Sequence, residues 1–226
     1  MREMKPIAEP TTEAERIEPV PDQGDAAWVT VETGMGADEL GRFCQDIERL
    51  LRINPAYVFR RWENLGDGVF YWVARNESNA REIDTQLFVE PLPDGISVTY
   101  ASGLKTRTTF RAIPDPTGNG DSGGGARLVV TDDYGGAPEA ERERRMDEVD
   151  KSLIPWGHAL HRYLHQWKRW SGVAPWRWYM RRVWKPMRPM ARRIVFLLII
   201  VTALEFIGFL MVFIVFWLEL EKYLGV

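Results

Sequence analysis

The chain has 226 residues, 32 acidic and 29 basic side chains for a net charge of −3, and a single cysteine. One cysteine excludes an internal disulfide and a cysteine metal cluster, in keeping with a reducing compartment. The small net charge conceals a partition: residues 1 to 150 hold 29 acidic against 17 basic side chains, a net of −12, whereas residues 151 to 193 hold 11 basic and no acidic ones. An acidic body is repelled by phosphate backbones while a basic segment is drawn to anionic lipid, so the charge pattern points to a membrane surface and away from nucleic acid.

Residues 1–25 carry Pro6, Pro10, Pro19 and Pro21 among acidic and small residues, with no apolar h-region, and read as a disordered leader. Residues 26–170 then offer enough chain for one domain with a sizeable core. "AAWVTVET" alternates as a strand. Leu40, Phe43, Cys44, Ile47, Leu50 and Leu51 follow at helical spacing until Asn54-Pro55 ends the helical section, and Cys44 reads as a core residue there. Strand patterns cover about 57–64, 69–76, 82–90, 95–102, 104–113 and 126–134, joined by turn signals such as "LGDG", "NESN" and "PLPDG". Connections this short make a mainly antiparallel meander. From Glu139 to Trp170 the pattern predicts one long helix, bent near Pro155, with Leu153, Gly157, Leu160, Leu164 and Trp167 on one stripe.

This element order, with the phrases "DELGRFCQDIERLLRINP", "IPDPTGNGDSGGGARLVVTDDYGG" and the closing helix, resembles the START-like superfamily. The group, also called SRPBCC or helix-grip proteins, includes polyketide cyclases, coenzyme Q-binding proteins and lipid-transfer domains. The resemblance covers about residues 26–170 and carries no invariant catalytic signature. It implies an α+β helix-grip fold, a curved antiparallel sheet around a long C-terminal helix. A cavity between them would hold something hydrophobic: a bound quinone, lipid or polyprenyl compound is the one cofactor it suggests.

Alternation along the strands selects the side chains that would line such a cavity. In strand 82–90, Ile83, Thr85, Leu87 and Val89 share one parity and charged residues dominate the other. Leu104, Thr106, Thr108 and Phe110 oppose Lys105, Arg107 and Arg111 in the same way, and Ile96, Val98 and Tyr100 form the matching set. The candidate lining is therefore Thr85, Leu87, Val98, Tyr100, Leu104, Thr106, Thr108 and Phe110. Buried hydroxyls left unpaired would cost about 1–3 kcal/mol each. A ligand's polar head would satisfy them, and so would backbone groups or buried water.

Three other patterns carry less. "GNGDSG" at 118–123 matches G-x-G-x-x-G but precedes a strand and not a helix, so it reads as a hairpin loop. His158, His161 and His165 fall on the flank of the apolar stripe without a carboxylate between Lys151 and Arg193, which favours a solvated or partner-facing patch over a metal site. Asp132 and Asp133 adjoin on one strand and point to opposite faces, so they cannot form an acid/base pair, and no catalytic residue is assigned.

Beyond the domain, Pro175 to Arg193 packs seven Arg or Lys and three Trp residues into nineteen positions. Trp176, Arg177, Trp178, Arg181, Arg182, Trp184, Lys185, Arg188, Arg192 and Arg193 are expected to meet the membrane surface as a collar on which the domain stands off. Residues 194–218 form a 25-residue run in which only Thr202, Glu205 and Gly208 are not apolar. As a helix the run measures about 37 Å, enough to cross a hydrocarbon core of roughly 30 Å. With eight residues, 219–226, following the run, it is expected to be a single-pass tail anchor. Seven basic residues in the twenty positions before it, against Lys222 alone after it, put the N-terminal domain on the cytoplasmic side. Thr202, Glu205 and Gly208 form a ridge suited to a second transmembrane helix, from a like copy or a membrane complex. Three functions follow as expectations. The first is a tethered domain binding a hydrophobic ligand for a membrane complex, the second an accessory or assembly subunit without ligand, and the third a membrane-bound cyclase-like enzyme.

Overall fold

A computed structural model describes residues 26–115, 125–146, 149 and 151–224. The expected leader at 1–25 and the "GNGDSG" loop lie outside these residues. Strand β1 (Ala26–Met35) leads into helices α1 (Ala37–Cys44) and α2 (Ile47–Ile53), followed by β2 (Tyr57–Gly66), β3 (Val69–Asn76), β4 (Arg81–Leu92), β5 (Gly95–Tyr100), β6 (Arg107–Pro114) and β7 (Ala126–Asp133). The sheet order is β1-β7-β6-β5-β4-β3-β2, antiparallel throughout, as a meander whose first strand closes against its last. The β2–β3 turn places Gly66, Asp67 and Gly68 at φ of 92°, 49° and 75°, a left-handed conformation that glycine adopts without strain and that Asp, with its short polar side chain, tolerates in turns.

The helical section divides where Asp46 caps α2, its carboxylate accepting from Arg49 N at 3.0 Å. Leu40, Phe43 and Cys44 of α1 and Ile47, Leu50, Leu51 and Ile53 of α2 are buried on the sheet's inner side. Asn54 ends α2 and is itself buried. Its amide donates to Ser152 Oγ at 2.7 Å and its carbonyl accepts from Ala56 N at 2.9 Å, tying this corner to the start of the next long helix.

The expected 139–170 helix is two helices, α3 (Glu139–Arg144) and α4 (Leu153–Trp170). The reason is burial: α3 buries no side chain, and the apolar stripe begins only at Leu153. Pro155 sits in the first turn of α4, where a missing N–H leaves no intrahelical bond unmade, so it marks a start and not a bend. The sheet meets α4 chiefly through its edge strand β1, and Tyr57 at the start of β2 reaches it from the other edge. A Cβ on Gly157 would lie 2.6 Å from Val29 Cγ2, so only glycine permits β1 to approach this closely. Trp156 is fully buried, packs edge-on against Tyr57 and Phe110 at 5.9 and 5.4 Å, and donates its indole N–H to Leu50 O at 3.0 Å. Burying a Trp is worth on the order of 5 kcal/mol by area.

The collar is not a free-standing spacer. After α5 (Ala174–Tyr179) the chain makes a π turn, Met180–Trp184, closed by Lys185 N donating to Met180 O at 3.0 Å. Trp184 then meets Tyr163 at 5.1 Å, and Lys185 pairs with Glu48 at 2.8 Å and Asp46 at 3.4 Å. Trp176 packs on Trp167 at 5.5 Å, and Arg177 donates to Ser171 O at 2.6 Å. Arg192 lies 3.7 Å from the centre of the Trp184 ring and donates to Arg52 O at 2.6 Å, Trp184 O at 3.1 Å and Lys185 O at 3.2 Å. The partners Asp46, Glu48 and Arg52, at and in α2, lie about 140 residues earlier in the chain, which is why local pattern misses the docking. Trp178, Arg181, Arg182, Arg188 and Arg193 remain exposed.

The last helix, α6 (Pro189–Leu224), is longer at both ends than the expected 194–218 span. Its stretch Pro189–Leu220 is long and apolar enough to cross a membrane, and the residues from Phe196 to Leu220 are exposed along it, Thr202, Glu205 and Gly208 included.

Candidate functional site

The conformation of residues 101–106 shapes the site. β5 ends at Tyr100 and Gly103 adopts φ of 113°, so the chain leaves the strand path before rejoining it at Arg107. Register survives the detour because Tyr100 N donates to Thr106 O at 3.0 Å and Thr106 N to Asp133 O at 2.8 Å. Within it the alternation no longer governs direction. Leu104 is buried, and Lys105, expected to face outward, turns inward to place Nζ 2.7 Å from Asp132 Oδ2.

Asp132 is fully buried on the inner parity of β7 beside Leu128 and Val130. Besides Lys105 it accepts the Thr108 hydroxyl at 2.6 Å, which leaves Thr108 Oγ1 to accept from the Tyr100 hydroxyl at 3.0 Å. Lys105 also donates to Tyr57 Oη at 3.3 Å. The Lys105 side chain is only 12% exposed, so this is an interior ion pair whose disruption from one side would leave a buried charge. Asp133 faces the other way and accepts from Gly135 N at 2.8 Å, so the two carboxylates share no site.

A cavity of about 200 Å³ opens beside this network, lined by Tyr57, Trp72, Ile83, Tyr100, Leu104 and Lys105, with Tyr134 and Arg145 closing it from beyond β7. Buried Trp72 and Tyr57 and exposed Arg81 and Glu82 all belong to its wall, so it reaches from the core to solvent. Trp72 comes from the inner parity of β3 and is fully buried, yet its indole N–H meets no hydrogen-bond acceptor. A second hollow of about 350 Å³ shares Leu104 and Tyr134 and continues past Ala26, Ala27, Met146 and Val149 beside α3.

Of the residues expected to line a cavity, Tyr100 and Leu104 do. Leu87, Val98 and Phe110 are fully buried and lie outside its lining, as is Thr108. The hydroxyls have internal partners: Thr85 Oγ1 accepts from Ser102 N at 3.1 Å, and Thr106 Oγ1, outside any strand, accepts from Gly136 N at 3.1 Å. Backbone and network groups thus satisfy the Thr side chains. Tyr57, Trp72, Lys105 and Tyr134 are site residues outside the expected lining, although alternation along β3 does turn Trp72 inward. The available signal was Asp132, a carboxylate on an apolar parity, which requires a cation nearby.

The remaining features stand apart from the cavity. His158, His161 and His165 are exposed on the α4 flank; the last two rings lie 4.4 Å apart and His161 Nδ1 lies 2.9 Å from Glu32 O. Burial, with His161 and Lys168 nearby, lowers the His165 pKa. Burial pushes the Cys44 thiol up to about 12, which makes it inert in the core. Among the described residues no three His, Cys, Asp or Glu side chains come together as a metal site.

No family model matches the sequence, and no curated protein does. Among solved structures, the di-domain ARO/CYC StfQ from the steffimycin biosynthetic pathway is similar at 12% identity and a TM-score of 0.42, over 66% of this chain and 52% of that one, so the match spans about half of the di-domain. A STAR-related lipid transfer protein fragment from Xanthomonas axonopodis is similar at 15% identity and a TM-score of 0.35, over 62% of this chain and 85% of that one. A Deinococcus radiodurans protein matches at 18% identity and a TM-score of 0.37, over 65% and 95%. At such TM-scores these likenesses carry no argument, and the architecture rests on the chain's own topology, an α+β arrangement of a seven-stranded antiparallel sheet with the long helix α4.

Proposed function

We propose that the chain is a membrane-tethered helix-grip domain that binds a hydrophobic small molecule in the cavity beside Lys105. The observation that carries this reading is a solvent-open cavity whose wall includes Trp72, a fully buried residue whose indole N–H lacks a partner. Native interiors satisfy such donors with protein, water or ligand. At about 200 Å³ the cavity exceeds the roughly 150 Å³ that accepts benzene but falls below the usual 300–1,000 Å³ of ligand pockets. It therefore suits one ring or one head group; the chain of a lipid, quinone or polyprenyl compound would extend beyond it.

The tether rests on α6, whose exposed apolar surface far exceeds what soluble proteins tolerate. Trp178, Arg181, Arg182, Arg188 and Arg193 are the collar residues left to meet anionic lipid, and their positive charge favours the cytoplasmic side. Glu205, costly in a bilayer unless neutral or paired, makes the Thr202–Glu205–Gly208 ridge the contact for a membrane partner. A second reading, an accessory subunit without ligand, draws on the dry packing of Trp156, Phe110 and Tyr57 between α4 and the sheet.

The test is native mass spectrometry of the full chain in lipid nanodiscs, with identification of any retained compound, alongside Leu104→Trp, which fills the cavity mouth. The proposal expects a retained apolar compound that the variant loses. Its absence from the native chain would leave the accessory reading standing.

A further inference from the structure

We infer that the cavity selects a neutral carbonyl oxygen, and that its ligand is a single-tailed amphiphile whose carbonyl meets the Trp72 N–H while its apolar chain crosses Leu104 and Tyr134 into the second hollow. This inference rests on the ligand-binding reading above.

The acceptor follows from Trp72. An indole nitrogen only donates, so the group that completes it must carry a lone pair, which a hydrocarbon lacks. Trp72 is fully buried, lines the cavity and has no acceptor, so it can discriminate between an oxygenated ligand and its hydrocarbon counterpart.

Neutrality follows from charge balance. Arg81, Lys105 and Arg145 line the cavity together with Glu82 and Asp84, and Asp132 lies 2.7 Å from the Lys105 ammonium. Arg145 pairs with Glu141 at 2.9 Å and Glu82 with Arg60 at 3.0 Å, so four cations stand against four carboxylates around the wall. A carboxylate ligand would add a negative charge to a wall whose charges already balance, whereas a carbonyl brings a dipole.

The single tail follows from the two hollows. The first, at about 200 Å³, suits a ring-sized body; Leu104 and Tyr134 border both, and beyond them Ala26, Ala27, Met146 and Val149 line the hollow of about 350 Å³ with Glu139, Arg142 and Glu143 along its α3 side. Met146 is exposed there, an apolar surface that one alkyl chain would cover.

The probes are octanophenone, a ring ketone with one alkyl chain; octylbenzene, its carbonyl-free counterpart; and nonanoate, a single-chain acid. Each is titrated into the full chain in nanodiscs of one lipid composition, with indole-¹⁵N NMR reading the Trp72 N–H directly. Octanophenone is expected to bind about tenfold more tightly than octylbenzene, to move the Trp72 N–H signal downfield, and to lose that preference in Trp72→Phe. Equal binding of octanophenone and octylbenzene with the Trp72 signal unmoved would overturn the carbonyl assignment while leaving the ligand-binding reading intact. Tighter binding of nonanoate would overturn neutrality. If no probe binds while a compound is retained in the native preparation, the amphiphile class is wrong; if neither occurs, the ligand-binding reading falls with it. The wild-type signal decides the matter even where Trp72→Phe is poorly folded.

Discussion

Trp156 and Trp72 are both fully buried and both pack against the Tyr57 ring, at 5.9 and 5.1 Å, one from the helix side and one from the sheet. Trp156 gives its N–H to Leu50 O and completes a dry aromatic cluster. Trp72 faces the other way in chemical terms, with its N–H unmet beside a cavity and a buried ion pair. Tyr57 divides the interior into a half that is finished by the protein and a half that is not. Burial is identical in the two halves; hydrogen-bond satisfaction separates structure from site.

The largest effect should come from the ion pair that frames the unfinished half. Asp132→Ala leaves Lys105 buried without its counter-ion and should cost about 3–5 kcal/mol, whereas the double change Lys105→Met with Asp132→Leu should recover most of that loss. Chemical denaturation of the full chain in detergent, followed by near-UV circular dichroism, measures both. A double variant no better than Asp132→Ala would mean that the pair organises the cavity end beyond its charge balance.

Next in size is the contrast between the tryptophans themselves. Trp156→Phe removes a donor from a bonded carbonyl and should cost about 1–3 kcal/mol more than Trp72→Phe, which deletes an unmet N–H. Equal losses by the same denaturation measurement would erase the distinction between the halves.

A smaller effect concerns the joint between domain and membrane helix. Arg192→Ala forfeits three carbonyl contacts and the Trp184 stack, and should broaden spin-label distances between the domain and α6 while costing about 1–2 kcal/mol. Unchanged distance distributions would show that Lys185 and Trp184 hold the joint alone.

The smallest effects are at titratable groups away from the cavity. His165 has a folded pKa below its ordinary value, so the unfolded chain binds more protons in the interval between the two. Stability should therefore rise slightly as pH increases through that interval, and His165→Gln should flatten the rise in a pH series of melts. Cys44, with its thiol at about 12 and no exposure, should resist Ellman's reagent at pH 8 until the domain unfolds.

Much of the fold was legible because period and turn signals agreed. β3 runs from Val69 to Asn76 between glycine-rich and Asn/Ser turns, where the pattern put it, and β4 buries Thr85 and Leu87 while exposing Glu82, Asp84, Gln86 and Glu90. The site was less legible, for three physical reasons. At Gly103 a left-handed residue breaks the alternation, which reverses Lys105. Trp72 looks like any core aromatic in "FYWVA", and only the neighbours across the sheet reveal that its N–H has no acceptor. The docking of Lys185 and Arg192 depends on Asp46, Glu48 and Arg52, about 140 residues earlier in the chain, which no local window can pair.

The most direct test of the divided interior compares the indole N–H signals of Trp72 and Trp156 in the full chain as isolated with its native membrane compounds and after exchange into a defined synthetic lipid. The account predicts that the Trp72 signal shifts when the native compounds are removed and that the Trp156 signal stays in place. Both signals unchanged, or a shift at Trp156 alone, would contradict a ligand site on the Trp72 side of Tyr57.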